Sequence, residues 1–369
     1  MASEISLCMI VKDEEKNLAD CLNSIIGAVD EINIVDTGST DQTIEIAKRY
    51  TDRIFRFPWI DDFSAARNYS YSKATKGFTM WMDADDIVSH ENLVKLLELK
   101  SILDDNTNYV VMKYCTYNAD GSPSRVFPKI RVTRSAAGLK WHGAIHEDLE
   151  SHGAGLIVDI NIDHKYKNIE LSQVRNMRIL KKEIDKGSAD SKIHYFYGLN
   201  EYSLKNYHEA EESLIKVIKS KRVETFDSLD TFIALHNIYR EWGDFKKAQD
   251  ILENNTYLLS DKSEYYCTLG LFYSECLNEI ETACNLFKRA LSCEGSFIQK
   301  GVAGQMTHDY YYHIPFGLLG KVYISLGEPE NALICYKKAL EYKGNTEIEG
   351  LVEKLSRLVE IKYPESRTS

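Results

Sequence analysis

The sequence predicts an α/β domain built on a parallel, doubly wound sheet, followed by an all-α region. Three observations carry this. Short apolar runs alternate with helical-period segments through about the first 170 residues. From about Ser188 the segments read as helix after helix. Those later segments share a pattern that recurs every few tens of residues.

"ISLCMIV" (5–11) is a short, unbroken apolar run and reads as a buried strand. "NLADCLNSIIGAV" (17–29) places apolar residues at helical spacing, and "EINIVDTGS" (31–39) is a second strand ending in turn residues. "DQTIEIAKRY" (41–50) reads as a helix with Asp41 as its cap. "RIFRFPW" is strand-like, "SAARNYSYSKA" helix-like and "FTMWM" a strand again. Repeated strand–helix–strand units imply parallel strands with helices on both faces. Ligands of such sheets sit beyond the carboxyl ends of the strands. Asp36 and Asp83 both fall at such ends, so two carboxylates distant in the chain are expected at one edge.

The second half repeats. "NYHEAEESLIKVI" (206–218), "DFKKAQDILENN" (244–255), "EIETACNLFKRAL" (279–291) and "EPENALICYKKAL" (328–340) align on Ala210, Ala248, Ala283 and Ala332, in steps of about 38, 35 and 49 residues. The first two steps are near the 34-residue tetratricopeptide period. The third leaves room for an insertion, which "GSFIQKGVAGQMTHDYYYH" (295–313) fills. Aromatics and a short turn precede the alanines, as in "LHNIYREWGDFKKA". Residues 190–345 thus resemble degenerate tetratricopeptide repeats, which stack into concave surfaces suited to extended partners; a generic helical bundle is the alternative. The expected domains are 1–187 and 188–369.

Bulk properties narrow the function classes. The formal net charge of −11 disfavours an electrostatic nucleic-acid binder. Eight cysteines without a CxxC pair read as reduced core residues of a cytoplasmic protein rather than zinc or redox sites. No apolar run is long enough to span a membrane, so a soluble chain is expected. No GxGxxG follows the first strand, where "KDEEKN" stands instead, and there is no Walker A motif; both absences weaken dinucleotide and P-loop readings.

The chemistry-bearing stretch is "FTMWMDADDIV" (78–88), in which an apolar strand runs into Asp83, Asp85 and Asp86. Three carboxylates this close repel one another, so something, a cation foremost, is expected to hold them there. Together with "SLCMIVKDEEKNL", "IVDTGSTDQT", "FSAARN", "WHGAIHE" and "DHKY", in that order, it makes residues 3–170 resemble family 2 glycosyltransferases of the GT-A (Rossmann-like) fold.

The resemblance implies a sugar-nucleotide donor, with UDP-glucose or UDP-N-acetylglucosamine foremost, and Mn²⁺ or Mg²⁺ on its diphosphate. A hard cation of this kind takes oxygen ligands and neutralises the leaving group as the anomeric bond breaks. It also implies that Asp83 faces the nucleotide, Asp85 binds the metal and His164 is a late metal ligand. Asp86 is a metal-facing group, a support for the ligands or a cap. Asp36 matches the carboxylate that recognises the base, Arg67 a basic residue near the nucleotide, and Glu14 an acidic residue after the first strand.

"WHGAIHEDL" (141–149) resembles the acceptor-side motif. An inverting transfer needs a base for the acceptor proton. Glu147 is the expected base and His146 its rival, since in an extended segment they face opposite ways.

A family 2 domain followed by tetratricopeptide-like repeats looks like bacterial peptide glycosyltransferases, including those that modify bacteriocin cysteines. The expected activity is therefore inverting, metal-dependent hexosyl transfer from a UDP-sugar to Cys or Ser/Thr of a peptide or protein. The repeats would bind the acceptor or mediate self-association as a homodimer. The alternatives are transfer to a cell-envelope glycan, and a non-catalytic interaction protein with a degenerate front domain.

Overall fold

The computed structural model describes residues 3–117, 121, 123–165, 170–188, 190–220, 228–293 and 312–362. The chain folds into two units that meet in sequence between Lys186 and Gly187.

The first unit opens with β1 (Ile5–Val11), α1 (Leu18–Ile25), β2 (Glu31–Asp36), α2 (Thr43–Ala47), β3 (Ile54–Arg56), α3 (Phe63–Tyr71) and β4 (Phe78–Trp81). It continues with β5 (Asp86–Ile87), α4 (His90–Ile102), β6 (Tyr109–Tyr117), β7 (Pro123–Arg134), the two-residue strands β8 (Trp141–His142) and β9 (Asp148–Leu149), β10 (Gly155–His164) and α5 (Glu170–Asp185). Eight strands form one sheet in the order β3-β2-β1-β4-β7-β6-β10-β5; β8 and β9 pair separately.

The apolar runs form strands because both faces of the sheet are covered. Every residue of β1 except Ile10 is buried, and α1 lays Leu18, Cys21, Leu22 and Ile25 on the sheet at i, i+3, i+4, i+7 spacing. Leu7, Met9, Ile34, Met80, Val110 and Ile162 carry this core across the sheet.

Two expectations are corrected. The sheet is mixed: β3, β2, β1 and β4 are parallel, but β7 runs antiparallel to both β4 and β6. Five residues separate β6 from β7, too few for the crossover that a parallel pair needs. The helix expected over 41–50 is only α2, and Asp41 does not cap it; Gln42 occupies that position. Asp41 instead accepts from Thr43 N at 2.9 Å and Glu15 N at 3.0 Å, tying the loops after β1 and β2 together.

The second unit is helical: α6 (Ser191–Ser203), α7 (Tyr207–Lys219), α8 (Ser228–Glu241), α9 (Phe245–Glu253), α10 (Thr256–Leu259), α11 (Ser263–Glu275), α12 (Ile280–Ser292), α13 (Ile314–Ser325), α14 (Pro329–Tyr342) and α15 (Thr346–Lys362). Ala210, Ala248, Ala283 and Ala332 are fully buried. Five residues before each stands a left-handed residue, Lys205, Gly243, Asn278 or Gly327, which ends the preceding helix. The amide after each donates back into that helix, as Asp244 N does to Tyr239 O at 2.9 Å. The repeat is thus a turn and a close helix contact recurring together. Apart from Tyr312 and His313, the inserted stretch 295–313 lies outside the described residues.

Three helix pairs close over a glycine. A Cβ on Gly198, Gly270 or Gly320 would lie 2.7, 2.5 or 2.6 Å from Leu214, Phe287 or Tyr336. Gly270→Ala gains about 1 kcal/mol of helix propensity but forces the fully buried Phe287 aside, an overpacking cost of about 1–3 kcal/mol. The expected result is a lower urea midpoint followed by circular dichroism; an unchanged or higher midpoint refutes the close contact.

All eight cysteines are unpaired thiols and six are buried. No helix among the described residues is long and apolar enough to cross a membrane.

Candidate active site

One cleft of about 900 Å³ opens at the carboxyl ends of β1, β2 and β4. Two segments far apart in sequence build its centre. Asp62 caps α3 by accepting from Ala65 N at 2.9 Å. From α3, Asn68 grips the backbone of Trp141: its Nδ2 donates to Trp141 O and its Oδ1 accepts from Trp141 N, both at 2.9 Å. Phe63 N donates to Ala144 O at 2.9 Å. These bonds dock the β8–β9 hairpin, which carries Glu147, against the helix that carries Arg67.

Arg67 is buried and reaches in two directions. Its Nη2 lies 2.8 Å from Asp83 Oδ1 and its Nε 2.5 Å from Glu147 Oε1. Its guanidinium also lies over the rings of Trp81 and Trp141, at 4.6 and 5.0 Å from their centroids. Burial alone would raise the Asp83 carboxyl, but Arg67, Arg131 and His164 outweigh it and hold the group well below the usual carboxylate range.

The acidic turn after β4 is closed by Asp86 N donating to Asp83 O at 3.1 Å, while Asp83 N donates to Asp86 Oδ2 at 2.9 Å. Asp86 is completely buried; its Oδ2 also faces Arg131 Nη1 at 2.9 Å, and its Oδ1 faces His164 Nδ1 at 2.9 Å. His164 Nε2 lies 3.5 Å from Asp85 Oδ2. Burial would lower the His164 pKa, but the hydrogen bond to Asp86 and the charge of Asp85 raise it. β5 pairs Asp86 with His164 across the sheet, which brings residues far apart in the chain together.

Asp83, Asp85, Asp86 and His164 present ligand atoms within 4.8 Å of one another. Carboxylate oxygens with one imidazole suit a divalent cation such as Mn²⁺ or Mg²⁺, so this donor set fits the ion the sequence implies. Asp86 spends both oxygens on protein partners, whereas Asp83, Asp85 and His164 line the cleft.

Glu14, Arg67, His146 and Glu147 line the same cleft. Asp36, next to the cleft-lining Thr37, is buried, and its Oδ1 accepts from Ser39 N at 2.9 Å. The hairpin around Glu147 is not extended. Only Trp141–His142 pair with Asp148–Leu149, and His146 has φ +50°. The extended backbone that would set His146 and Glu147 on opposite faces is therefore absent, because the chain turns there; both residues line the cleft. His142 points elsewhere, its Nε2 2.6 Å from Glu150 Oε1 on the exposed hairpin.

Sequence reasoning passed over Thr37, Arg131 and the α5 cation Arg175, whose guanidinium lies 4.9 Å from the Phe63 ring centroid at the cleft. Arg175 sits on an otherwise ordinary amphipathic helix, and Arg131 on a strand, so neither lies in a recognisable motif.

Residues 6–146 match the family described as glycosyl transferase family 2, and residues 316–346 match the tetratricopeptide repeat. A TPR repeat-containing protein of Synechococcus elongatus is 42% identical over 147 residues, which cover 39% of this chain and 35% of that protein. The SPbeta prophage-derived glycosyltransferase SunS of Bacillus subtilis is 26% identical over 313 residues, 79% of this chain and 72% of that protein. Among solved structures, S. aureus TarS 1–349 in complex with UDP-GlcNAc shares 15% identity over 81% of this chain and 92% of that one, with a TM-score of 0.38. The family matches thus give the first half of the chain a glycosyl transferase family 2 domain and the second half a tetratricopeptide repeat.

Proposed function

We propose that residues 1–187 transfer a hexose from a UDP-sugar to a Cys, Ser or Thr side chain of a peptide or protein, with inversion. Residues 188–369 would supply acceptor surface or self-association, and the chain would work in the cytoplasm. The observation that carries this reading is that Asp83, Asp85, His164, Arg67 and Glu147 open into one cleft of about 900 Å³.

In this reading Asp85 and His164 hold Mn²⁺ or Mg²⁺, and Asp83 faces the nucleotide. The bound cation supplies charge neutralisation for the departing diphosphate. Arg67 steadies Asp83 on one side and Glu147 on the other, fixing the distance between the donor and acceptor ends of the site. Glu147 Oε1 holds Arg67, and the carboxylate takes the acceptor proton as the nucleophile attacks the anomeric carbon. His146 is the rival base. Glu14 and Asp36 serve the nucleotide. The peptide acceptor rests on the pairing of a family 2 domain with helical repeats and on the similarity to SunS across both halves.

The test incubates the full chain with UDP-glucose or UDP-N-acetylglucosamine, with and without Mn²⁺, and reads UDP release and mass gain on candidate peptides. Metal-dependent release with a hexose-sized mass gain supports the proposal. Release without metal overturns the cation assignment, and release without peptide modification overturns the acceptor class.

The base preference gives a separate prediction. An Asp36 carboxylate that accepts from the uracil N–H makes UDP compete at least about tenfold better than ADP, the worth of one hydrogen bond to a charged group. Equal competition, or tighter ADP, rejects Asp36 as the base reader.

A further inference from the structure

The three carboxylates of the acidic turn are not equivalent, and the cause lies on β7. Val110 of β6 pairs with Val132 and Val111 with Ile130, so Arg131 is the extra residue of a β-bulge. Bulges re-aim side chains, and here the guanidinium goes into the interior, fully buried. Its Nη1 lies 2.9 Å from Asp86 Oδ2 and 3.3 Å from Trp81 O. The Trp81 and Tyr114 ring centroids lie 3.8 and 4.8 Å from Cζ. Its Nε and Nη2 have no hydrogen-bond partner among the described residues. Ring stacking offsets only part of the cost of burying such a group. For packing alone, an apolar pair in place of Arg131 and Asp86 would serve as well or better.

What the pair holds explains its presence. Asp86 Oδ2 is taken by Arg131 and by Asp83 N, and Oδ1 receives His164 Nδ1. With Nδ1 engaged, Nε2 is the ring nitrogen directed at Asp85. We propose that Arg131 is a positioning residue for the cation site: through Asp86 it orients His164 so that Nε2 faces the cation, and it keeps Asp86 out of the ligand set. The inference rests on the cation reading of the proposed function. It divides the acidic turn into a ligand carboxylate, Asp85, a nucleotide-facing one, Asp83, and a supporting one, Asp86, as metal sites divide direct ligands from the groups that orient them.

The test uses the full chain and does not depend on turnover. Mn²⁺ affinity is read by electron paramagnetic resonance titration, and the nitrogen coupling of bound Mn²⁺ by pulsed measurements, with His164→Gln identifying the nitrogen. The parent is expected to bind Mn²⁺ with a nitrogen coupling that His164→Gln removes. Arg131→Met should bind about 10–100-fold more weakly, the usual effect of losing an orienting partner, and lose the coupling. Arg131→Lys, which keeps the charge beside Asp86, should recover most of both.

Because Arg131→Met strands a buried carboxylate, the double variant Arg131→Met/Asp86→Leu is the control for folding, since replacing a buried ion pair by apolar groups is commonly neutral or stabilising. Folded by circular dichroism, it should show the same loss of affinity and coupling. Parental affinity and coupling in the folded double variant overturn the positioning role while leaving the cation reading intact. Weaker binding with the nitrogen coupling retained overturns it too, by making Asp86 a direct ligand. A parent that does not bind Mn²⁺ overturns the cation reading and this inference with it.

Discussion

Asp85→Asn should fold as the parent does and lose about a thousandfold in metal-dependent turnover. Asparagine keeps the shape of a side chain that is 3% exposed, so the packing of the turn is preserved. It deletes one of the charges that draw a divalent cation to the cluster. Lewis-acid stabilisation of a departing diphosphate is worth several kcal/mol, and about 4 kcal/mol corresponds to a factor of a thousand. The measurement is initial rate against Mn²⁺ concentration, with circular dichroism as the folding control. Parental turnover at limiting Mn²⁺ removes Asp85 from the ligand set. Asp83→Asn is the informative contrast. Asp83 is the partner of Arg67 Nη2, so its loss should fall mainly on donor affinity, read by calorimetry with UDP.

Glu147→Gln should keep donor and metal binding and slow transfer to a serine acceptor by about 10²–10⁴-fold, the range for losing a general base. Glutamine retains an Oε1 that can accept from Arg67 Nε, so the hairpin keeps its anchor while the proton acceptor disappears. With a cysteine acceptor the loss should be smaller and should shrink further as pH rises. The thiolate fraction grows towards the ordinary thiol pKa, and a thiolate needs no base. Serine stays protonated throughout, so raising the pH does little for it. The comparison for the rival base is best made with His146→Asn, because asparagine tolerates the φ of +50° at that position, whereas alanine adds backbone strain. Parental serine transfer in Glu147→Gln together with an inactive His146→Asn assigns the base to His146.

Much of the first unit is legible because parallel strands covered on both faces become continuous apolar runs. Ile5–Val11, Glu31–Asp36 and Phe78–Trp81 all stand out this way. The chain beyond Trp81 is harder to read. β5 is two residues long, with no periodicity to detect, and the antiparallel course of β7 depends on a short connection rather than on its own residues. The helical repeats show themselves through buried alanines at constant distance from a left-handed turn residue, a local signal that tolerates an insertion between copies.

The site is legible where chemistry sits in compact motifs: the acidic turn, "AARN" and "IHE" reach one cleft. Thr37, beside Asp36 at the end of β2, also lines the cleft but is neutral and stands out in no motif. Arg131 is illegible for a different reason. Its inward aim comes from a slip in strand pairing, which only the partner strand reveals.

The long sequence separations inside the acidic cluster set an order of assembly during synthesis. Arg131 follows Asp86 by 45 residues and His164 follows it by 78. At ribosomal rates of about 5–20 residues per second, the three aspartates are made roughly 4–16 s before the histidine that joins them. For most of that interval neither Arg131 nor the last strands of the sheet are available, and Arg67, made before the aspartates, is the one arginine of the site already present to face Asp83. The parallel strands around β1 need none of these later residues and can pack first. The cation cluster is therefore completed last, when β10 closes beside β5, so a nascent chain offers no finished cation pocket until its first unit is essentially whole.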